Sequence, residues 1–287
     1  MSAVLPTTKL TATTLDDFLE SQPVIVGRDA TFDLTHITFV SPGAIVPIAA
    51  VCHALHRAGH DVVVKLSDNS VRSYLMRMGF MSAVRGVVRF EPEVPRARSM
   101  MMEALRGTNP VLVEVTKIEN GAALPDLLDQ IVHVLRYRLK YKKYDAFDIA
   151  TAISEICQNT FDHNTGTYGF IGMQMYQAGR KRFIEVAVAD HGAGLRTTLQ
   201  QNPKNPHIRT DSDAINVATQ LGTSQYDDPT RGTGLHHLLK IAFKHEATVE
   251  IRSGSAKVRF RMDRKTGWHF PCRSMPGVQA SISLHRK

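Results

Sequence analysis

In the first third of the chain, segments with the hydrophobic pattern of a strand alternate with segments that have the pattern of a helix. Residues 30–40 (ATFDLTHITFV) and 61–66 (DVVVKL) have the short apolar runs of strands. Residues 44–58 and 69–78 place apolar side chains three and four positions apart, which is the spacing of a helix, and a glycine follows each segment. Strands that alternate with helices predict a small α/β domain, which we assign to residues 1–95.

A second, larger set of elements is predicted after residue 110. The predicted strands are 111–118, 169–177, 183–190, 247–253, 257–262 and 279–285. The predicted helices are 124–140, 145–163 and one that follows Gly234. The polar stretch 197–231 predicts a long loop. Two prolines and scattered charge precede residue 100, so we assign 96–110 as a linker and 111–287 as a second domain.

Composition limits the class of protein. The chain has 287 residues, of which 43% are hydrophobic and 22% charged, as expected for a globular protein with a core. It has no apolar run of about 18 residues and no basic start followed by an apolar block, so neither a membrane span nor a secretory signal is predicted. Three separated cysteines form no CxxC pair, so we expect a reducing, cytoplasmic setting.

The formal net charge of +8 raises the question of an anionic partner, such as nucleic acid, a membrane surface or nucleotide phosphates. The basic residues form short groups, for example 136–143 and 252–265, and not one long tract. We therefore do not predict a dedicated nucleic-acid surface, although it stays open, and we predict no membrane partner.

The predicted helix 145–163 carries an unusual polar flank. At about 100° per residue, Ile149, Ile153 and Ile156 form one apolar stripe. The polar residues on the adjacent flank are Glu155, Asn159, Asp162 and His163. A solvated helix face is one explanation, but such faces more often carry Lys and Glu, and Asn is a poor helix former. The alternative explanation is that these polar side chains face a cleft.

Two glycine motifs follow this helix along the chain. In ADHGAGL, Asp190 ends an apolar strand and precedes Gly192 and Gly194, which permit a tight turn and close approach to a ligand. An aspartate at such a turn can accept a hydrogen bond from an exocyclic amine. In RGTGLHHLLK, the small residues that precede a helix are Gly232, Thr233 and Gly234. Bare amides at a helix N-terminus form an anion site.

The three motifs together resemble the GHKL family, the ATPases of the Bergerat fold, which includes gyrase B, a heat-shock chaperone, histidine kinases and mismatch-repair ATPases. The resemblance covers Val111 to Leu284, with SEICQNTFDHN as the N box, ADHGAGL and RGTGLHHL as glycine boxes, and MPGVQASISL as the last strand. It implies an α/β fold of the α+β two-layer sandwich type, in which a mixed sheet carries helices on one face. It also implies Mg-ATP between helices and sheet, under a lid formed by residues 197–231.

The resemblance implies a role for each motif residue. Asn159 would coordinate Mg²⁺, Glu155 would be the general base, and Asp190 would bind the adenine amine. These residue types suit the roles, because Mg²⁺ prefers hard oxygen ligands and phosphoryl transfer requires a base near the nucleophile. The remaining residues would shape the adenine pocket or contact phosphates: His163, Gly192, Gly194, Gly232, Thr233 and Gly234.

Three positions qualify this resemblance. Val278 follows Gly277 where the family often has Thr, so a hydroxyl on the adenine side is missing or supplied elsewhere. His133 precedes Val134 and not an acidic residue, so we do not predict a histidine kinase. His236 and His237 follow the second glycine box, and the sequence leaves phosphate contact and surface placement equally open.

Residues 24–80 resemble a STAS domain, the fold of anti-sigma-antagonists. The stretches that carry this resemblance are FDLTHITFVSPGAI and DVVVKLSDNSVRSYLMRMGF. Regulated members are phosphorylated by a GHKL kinase on Ser or Thr at the start of the first helix. The matching stretch here is Ser41-Pro42-Gly43, in which only Ser41 has a hydroxyl. We therefore expect a domain used for docking a protein partner or for dimerisation, with phosphorylation of Ser41 as the alternative.

Three functions remain open from sequence. The first is an Mg-ATP-binding ATPase or ATP-driven switch that regulates a partner. The second is an anti-sigma-type protein serine/threonine kinase, and the third is a non-catalytic scaffold stabilised by ATP. The first two both require Glu155, and the sequence favours the first because no good phosphoacceptor lies in the same chain.

Overall fold

The protein is described by a computed structural model for residues 8–67, 70–95, 101, 104, 112–162, 168–202, 207–220, 234–261 and 264–286. The strands of the N-terminal part are β1 (Lys9–Leu10), β2 (Val24–Val26), β3 (Asp29–Asp33), β4 (Phe39–Val40), β5 (Asp61–Lys65) and β6 (Val88–Glu91). Its helices are α1 (Leu15–Ser21), α2 (Pro42–Arg57), α3 (Ser70–Arg77) and α4 (Phe80–Ala83).

The N-terminal part contains a four-stranded sheet with the order β2-β3-β5-β6. Strands β3, β5 and β6 are parallel, and β2 is antiparallel to β3. The strand predicted at 30–40 is divided in two, because the Asp33 carboxylate accepts the backbone N–H of Thr35 at 2.9 Å and turns the chain. β4 pairs instead with β1.

The strands of the C-terminal part are β7 (Leu112–Ile118), β8 (Gly169–Ala178), β9 (Lys181–Asp190), β10 (Thr248–Arg261) and β11 (Arg264–His285). Its helices are α5 (Leu124–His133), α6 (Lys143–Asp162), α7 (Gly194–Leu199), α8 (Asp211–Ala218) and α9 (Gly234–Lys244). A five-stranded sheet has the order β10-β11-β9-β8-β7, and its described pairings are all antiparallel. The predicted α/β class is confirmed. The family resemblance implied a sheet with both parallel and antiparallel strands here, but the described pairings are all antiparallel.

Local elements differ from the prediction at three places. The helix predicted at 124–140 is α5 followed by a π-helix, Val134–Arg138. The strands predicted at 247–253 and 257–262 are one strand, β10. The predicted loop contains α8, whose capping box joins Thr210 and Asp213: the Thr210 hydroxyl accepts from the Asp213 amide, and the Asp213 carboxylate accepts from the Thr210 amide.

The five-stranded sheet is buried on both faces. In β9, Ile184, Val186 and Val188 belong to the core shared with α5, α6 and α9, whereas Ala187 and Ala189 belong to the core shared with α2. Burial on both faces explains why FIEVAVAD is a nearly continuous apolar run. Within the described part of the chain, no helix is both long and apolar enough to cross a bilayer.

Helix α2 lies between the two sheets and contacts both β5 and β9. Small residues allow its close approach: a Cβ on Gly172 would lie 3.0 Å from Cγ2 of Val46, and a Cβ on Gly43 would lie 2.4 Å from Oε1 of Glu185. One buried core therefore contains residues from both parts of the chain. The division into residues 1–95, 96–110 and 111–287 stays a prediction.

Candidate functional site

Helix α6 is seated on the sheet by its predicted apolar stripe. Ile149 and Ile153 have at most 1% of their surface exposed. On the neighbouring flank Glu155 is half-buried and Asn159 is exposed. The helix thus holds a carboxylate and an amide beside the core, on the side that faces α9.

The start of α9 touches both of these polar residues. A Cβ on Gly234 would lie 3.2 Å from Nδ2 of Asn159 and 3.2 Å from Cβ of Glu155. A side chain here would be tight enough to push its neighbours back by a few tenths of an ångström, so α9 begins directly against α6 at this point. The amides at the N-terminus of α9 therefore lie beside the predicted base and the predicted magnesium ligand.

The end of α6 also reaches the first glycine motif. Thr160, the residue after Asn159, packs so closely on Gly169 that a Cβ there would lie 2.4 Å from Oγ1 of Thr160. Gly169 is the direct partner of Asp190 in the pairing of β8 with β9. Paired residues in antiparallel strands are separated by about 4.5–5.5 Å between Cα atoms. Thr160 therefore contacts the strand neighbour of Asp190.

Asp190 is buried, with 4% of its surface exposed. Its Oδ1 accepts the amide of Gly192 at 2.7 Å, and its Oδ2 accepts the amide of Val278 at 3.2 Å. Burial raises the pKa of this carboxyl to about 6, although the two N–H donors act in the opposite direction. At the position where the resemblance led us to expect a hydroxyl, the described contact is made by the Val278 backbone.

A cavity of about 480 Å³ lies beside this turn, and its lining includes Gly192, Gly194, Arg196 and Met275. Gly194 has a φ of +80°. The next amide, of Leu195, donates to the hydroxyl of Ser253 at 2.9 Å. The cavity has the volume of a small-molecule site.

His237 stands between two carboxylates, a placement that sequence reasoning left undecided. Its Nε2–H donates to Oδ1 of Asp148 at 3.0 Å, and its Nδ1 lies 3.5 Å from Oε1 of Glu155. Oε2 of Glu155 is buried and has no hydrogen-bond partner within the described residues. His236 instead donates from Nδ1 to the carbonyl of Thr219 at 3.2 Å.

The residue after Asp190 connects this turn to α2. His191 is 5% exposed and stacks on His53 of α2 with ring centroids 6.2 Å apart. The Tyr168 hydroxyl donates to Nδ1 of His53 at 2.7 Å, and Nε2–H of His53 donates to the Ala83 carbonyl at 2.9 Å. Burial lowers the pKa of His191 to about 4. Sequence reasoning missed His191, because its partners are far away along the chain.

Ser41, the alternative phosphoacceptor, has 3% of its surface exposed. It precedes α2 at the point where Gly43 meets the Glu185 carboxylate. Burial raises the pKa of Glu185, and the Ser41 hydroxyl and Gly43 amide lower it. A carboxylate from β9 thus occupies the N-terminus of α2, where the STAS resemblance would place a phosphate.

Some predicted site residues lie outside the described residues, namely His163, Gly232 and Thr233. Within the described part, no group of three or more His, Cys, Asp or Glu side chains is arranged to hold a metal ion. The Asn159 amide oxygen is nevertheless a suitable ligand for Mg²⁺, which binds through one or two protein oxygens and the phosphates of a nucleotide.

No protein-family model matches the chain, and a search of curated proteins finds no significant match. The family resemblance therefore rests on the three motifs and their geometry.

Proposed function

We propose that the chain binds Mg-ATP as a GHKL protein of the Bergerat fold, with a STAS-like N-terminal part, and that ATP hydrolysis or ATP binding switches its interaction with a protein partner. One observation carries this proposal: Gly234 contacts Glu155 and Asn159, while Thr160 contacts the strand neighbour of Asp190. The second glycine motif thus packs directly on the helix motif, and the Asp190 motif is linked to that helix through its strand partner Gly169.

Each side chain has a chemical task in this proposal. The buried Asp190 carboxylate accepts the adenine amine, and its two backbone donors fix its orientation. Asn159 contributes an amide oxygen to the metal, and the α9 N-terminus at Gly234 supplies amides for phosphate oxygens. When bound, Mg²⁺ neutralises phosphate charge.

Glu155 is proposed as the base that takes a proton from the attacking water. Its Oε2 has no hydrogen-bond partner in the described part of the chain, while Oε1 faces His237. His237 is in turn held by Asp148 through its other nitrogen. We assign His237 as a positioning residue that, with a proton on each ring nitrogen, fixes the Glu155 carboxylate, because a base works only when it is held within reach of its proton.

The N-terminal part supplies the route to a partner. The adenine-binding turn and α2 share the His191–His53 stack. A shift of this turn on nucleotide binding would change the packing of α2, and with it the surface of the four-stranded sheet. The buried position of Ser41 favours this docking role over phosphorylation within the chain.

The test compares the wild type with Glu155→Ala. We expect both to bind a non-hydrolysable ATP analogue with Mg²⁺ in titration calorimetry, and only the wild type to release phosphate from ATP. Transfer of label from ATP to protein would instead favour the serine/threonine kinase, and binding without release by the wild type would favour the scaffold. Failure of the wild type to bind any adenine nucleotide would refute the proposal.

A further inference from the structure

A run of cations extends from the π-helix to the first residue of α6. Residues 136–144 are RYRLKYKKY, with five cations and no carboxylate. The five are Arg136, Arg138, Lys140, Lys142 and Lys143. In the described part of the chain, none of them forms a salt bridge with a carboxylate. Apart from the influence of Lys142 on the neighbouring Asp145, whose pKa is lowered by the hydrogen bond from Lys244 and further by Lys142, their charge is available to an external anion.

Aromatic side chains stand exposed among these cations. The exposed fractions are 54% for Tyr137, 76% for Tyr144 and 46% for Phe147. Cations lie over the three rings: Arg136 is 5.2 Å from the Tyr137 centroid, Lys244 is 5.3 Å from that of Tyr144, and Lys143 is 6.0 Å from that of Phe147. We call these three rings and the five cations the basic aromatic surface.

The backbone under this surface is irregular but well anchored. The π-helix ends at Arg138, and Lys140 has a φ of +65°, which is uncommon for a residue with a side chain. The next residue, Tyr141, is buried, and its hydroxyl donates to the His285 carbonyl at 2.9 Å. Such π-helical turns are frequent at functional sites. The anchored turn holds the exposed rings and cations in place.

We propose that the basic aromatic surface binds single-stranded nucleic acid. The cations would neutralise backbone phosphates, and the exposed rings would stack with bases, a combination found in proteins that bind single strands. A duplex keeps its base faces stacked inside, so the rings would gain little from it. An acidic peptide would use the cations but not the ring faces. A bilayer surface would be favoured by exposed aliphatic side chains, whereas two of the three rings here are tyrosines.

The test uses the full-length protein and a fluorescent 20-nucleotide oligo(dT), with binding followed by anisotropy over a range of salt concentrations. Tyr137→Ala with Tyr144→Ala should weaken binding about tenfold or more, because each stacked base contributes substantially. Lys142→Gln with Lys143→Gln should lower the slope of log K against log salt by about 1.4, since each contact to a single strand contributes about 0.7.

The matched control is Arg28→Gln with Lys65→Gln, which removes the same charge from two exposed positions of the N-terminal part, one in the turn between β2 and β3 and one in β5. It should leave both the affinity and the salt slope unchanged. Tyr144→Ala alone serves as a second variant, since this side chain is the most exposed of the three and its loss should leave the unfolding midpoint unchanged.

Three results would overturn the proposal. One is wild-type affinity in both tyrosine variants, and another is an equal loss in the Arg28 and Lys65 control. The third is tighter binding to duplex DNA or to phosphatidylserine vesicles than to oligo(dT). Because this experiment requires no ATP, its outcome is independent of the proposed nucleotide site.

Discussion

At the residue scale, Gly277 shows how one missing side chain shapes the candidate site. Its φ is +75°, and a Cβ there would lie 2.2 Å from the Asp190 carbonyl oxygen. Gly179 also has a positive φ, of +60°, but nothing lies within 4 Å of its Cβ position. A comparison of substitutions at Gly277 and Gly179 therefore separates the free-energy cost of the backbone conformation from the cost of the close contact.

We expect Gly277→Ala to lower the free energy of unfolding by about 3 kcal/mol or more, because conformational strain of about 1–2 kcal/mol is added to a clash with fixed backbone. Gly179→Ala should lower it by about 1 kcal/mol only. Urea unfolding followed by the fluorescence of the single tryptophan, Trp268, measures both. Equal losses would mean that the contact with Asp190 contributes nothing.

The raised pKa of Asp190 gives a second prediction at this scale. The carboxylate loses its charge as pH falls through about 6, so affinity for Mg-ATP should decrease by about tenfold at pH 5 relative to pH 8. His191 stays mostly neutral over this range, because burial lowers its pKa to about 4. Calorimetric titrations across pH, with Asp190→Asn as the comparison, measure the effect.

Protonation of the ligand affects the wild type and Asp190→Asn equally, but only the wild type has a carboxyl group at position 190. A wild-type affinity that follows the same pH course as Asp190→Asn would show that this carboxyl does not control binding.

At the element scale, the pairing of α6 with α9 combines packing with the proposed chemistry. Lys244 and His237 both belong to α9 and both contact Asp148, at 3.5 and 3.0 Å. Only His237 also approaches Glu155. A comparison of variants at His237 and Lys244 therefore distinguishes the loss of a contact between two helices from an effect on the proposed base, Glu155.

We expect His237→Gln to reduce the kcat of phosphate release by about tenfold to a hundredfold with little change in KM, because small misplacement of a catalytic group has costs of this size. Lys244→Ala should leave kcat within about twofold, because it removes only the partly exposed ion pairs with Asp145 and Asp148. Steady-state phosphate release measures both variants. A similar kcat for the two would assign His237 a structural role only.

At the scale of the whole molecule, a buried charge cluster joins the first helix to the second sheet. The Asp16 carboxylate of α1 pairs with Arg252 and Lys257 of β10. These cations are 4% and 7% exposed. The neighbouring Asp17 is exposed. Loss of Asp16 would leave two buried cations without their anion, whereas loss of Asp17 would change only the surface.

We expect Asp16→Ala to lower the free energy of unfolding by about 3–5 kcal/mol, the usual cost of breaking a buried ion pair. Asp17→Ala should change it by about 0.5 kcal/mol or less. Because α2 is part of one core with both sheets, the wild type should unfold in a single transition. Urea curves recorded by circular dichroism and by Trp268 fluorescence should coincide, and separate midpoints would contradict a shared core.

Much of the local structure was predictable because periodicity reports which side of an element is buried. The isoleucine stripe of α6, the apolar run of β9 and the helix pattern of α2 each appear in consecutive residues. The capping box of α8 was also present in the sequence as TDSD, but its position in a polar stretch concealed it. Helix periodicity placed Glu155 and Asn159 on one polar flank, and the strand end marked Asp190, whereas the roles of these residues came from the family resemblance alone.

The sequence by itself determined the class of the elements, their buried faces and the candidate polar groups, because these depend on neighbours within a few residues. Only the tertiary structure decided that His237 faces Glu155, that His191 stacks on α2, and that Glu185 occupies the α2 N-terminus. Each of these contacts joins residues from separate elements. Side-chain pattern encodes which face is apolar, but the packing of whole elements selects the partner that this face meets.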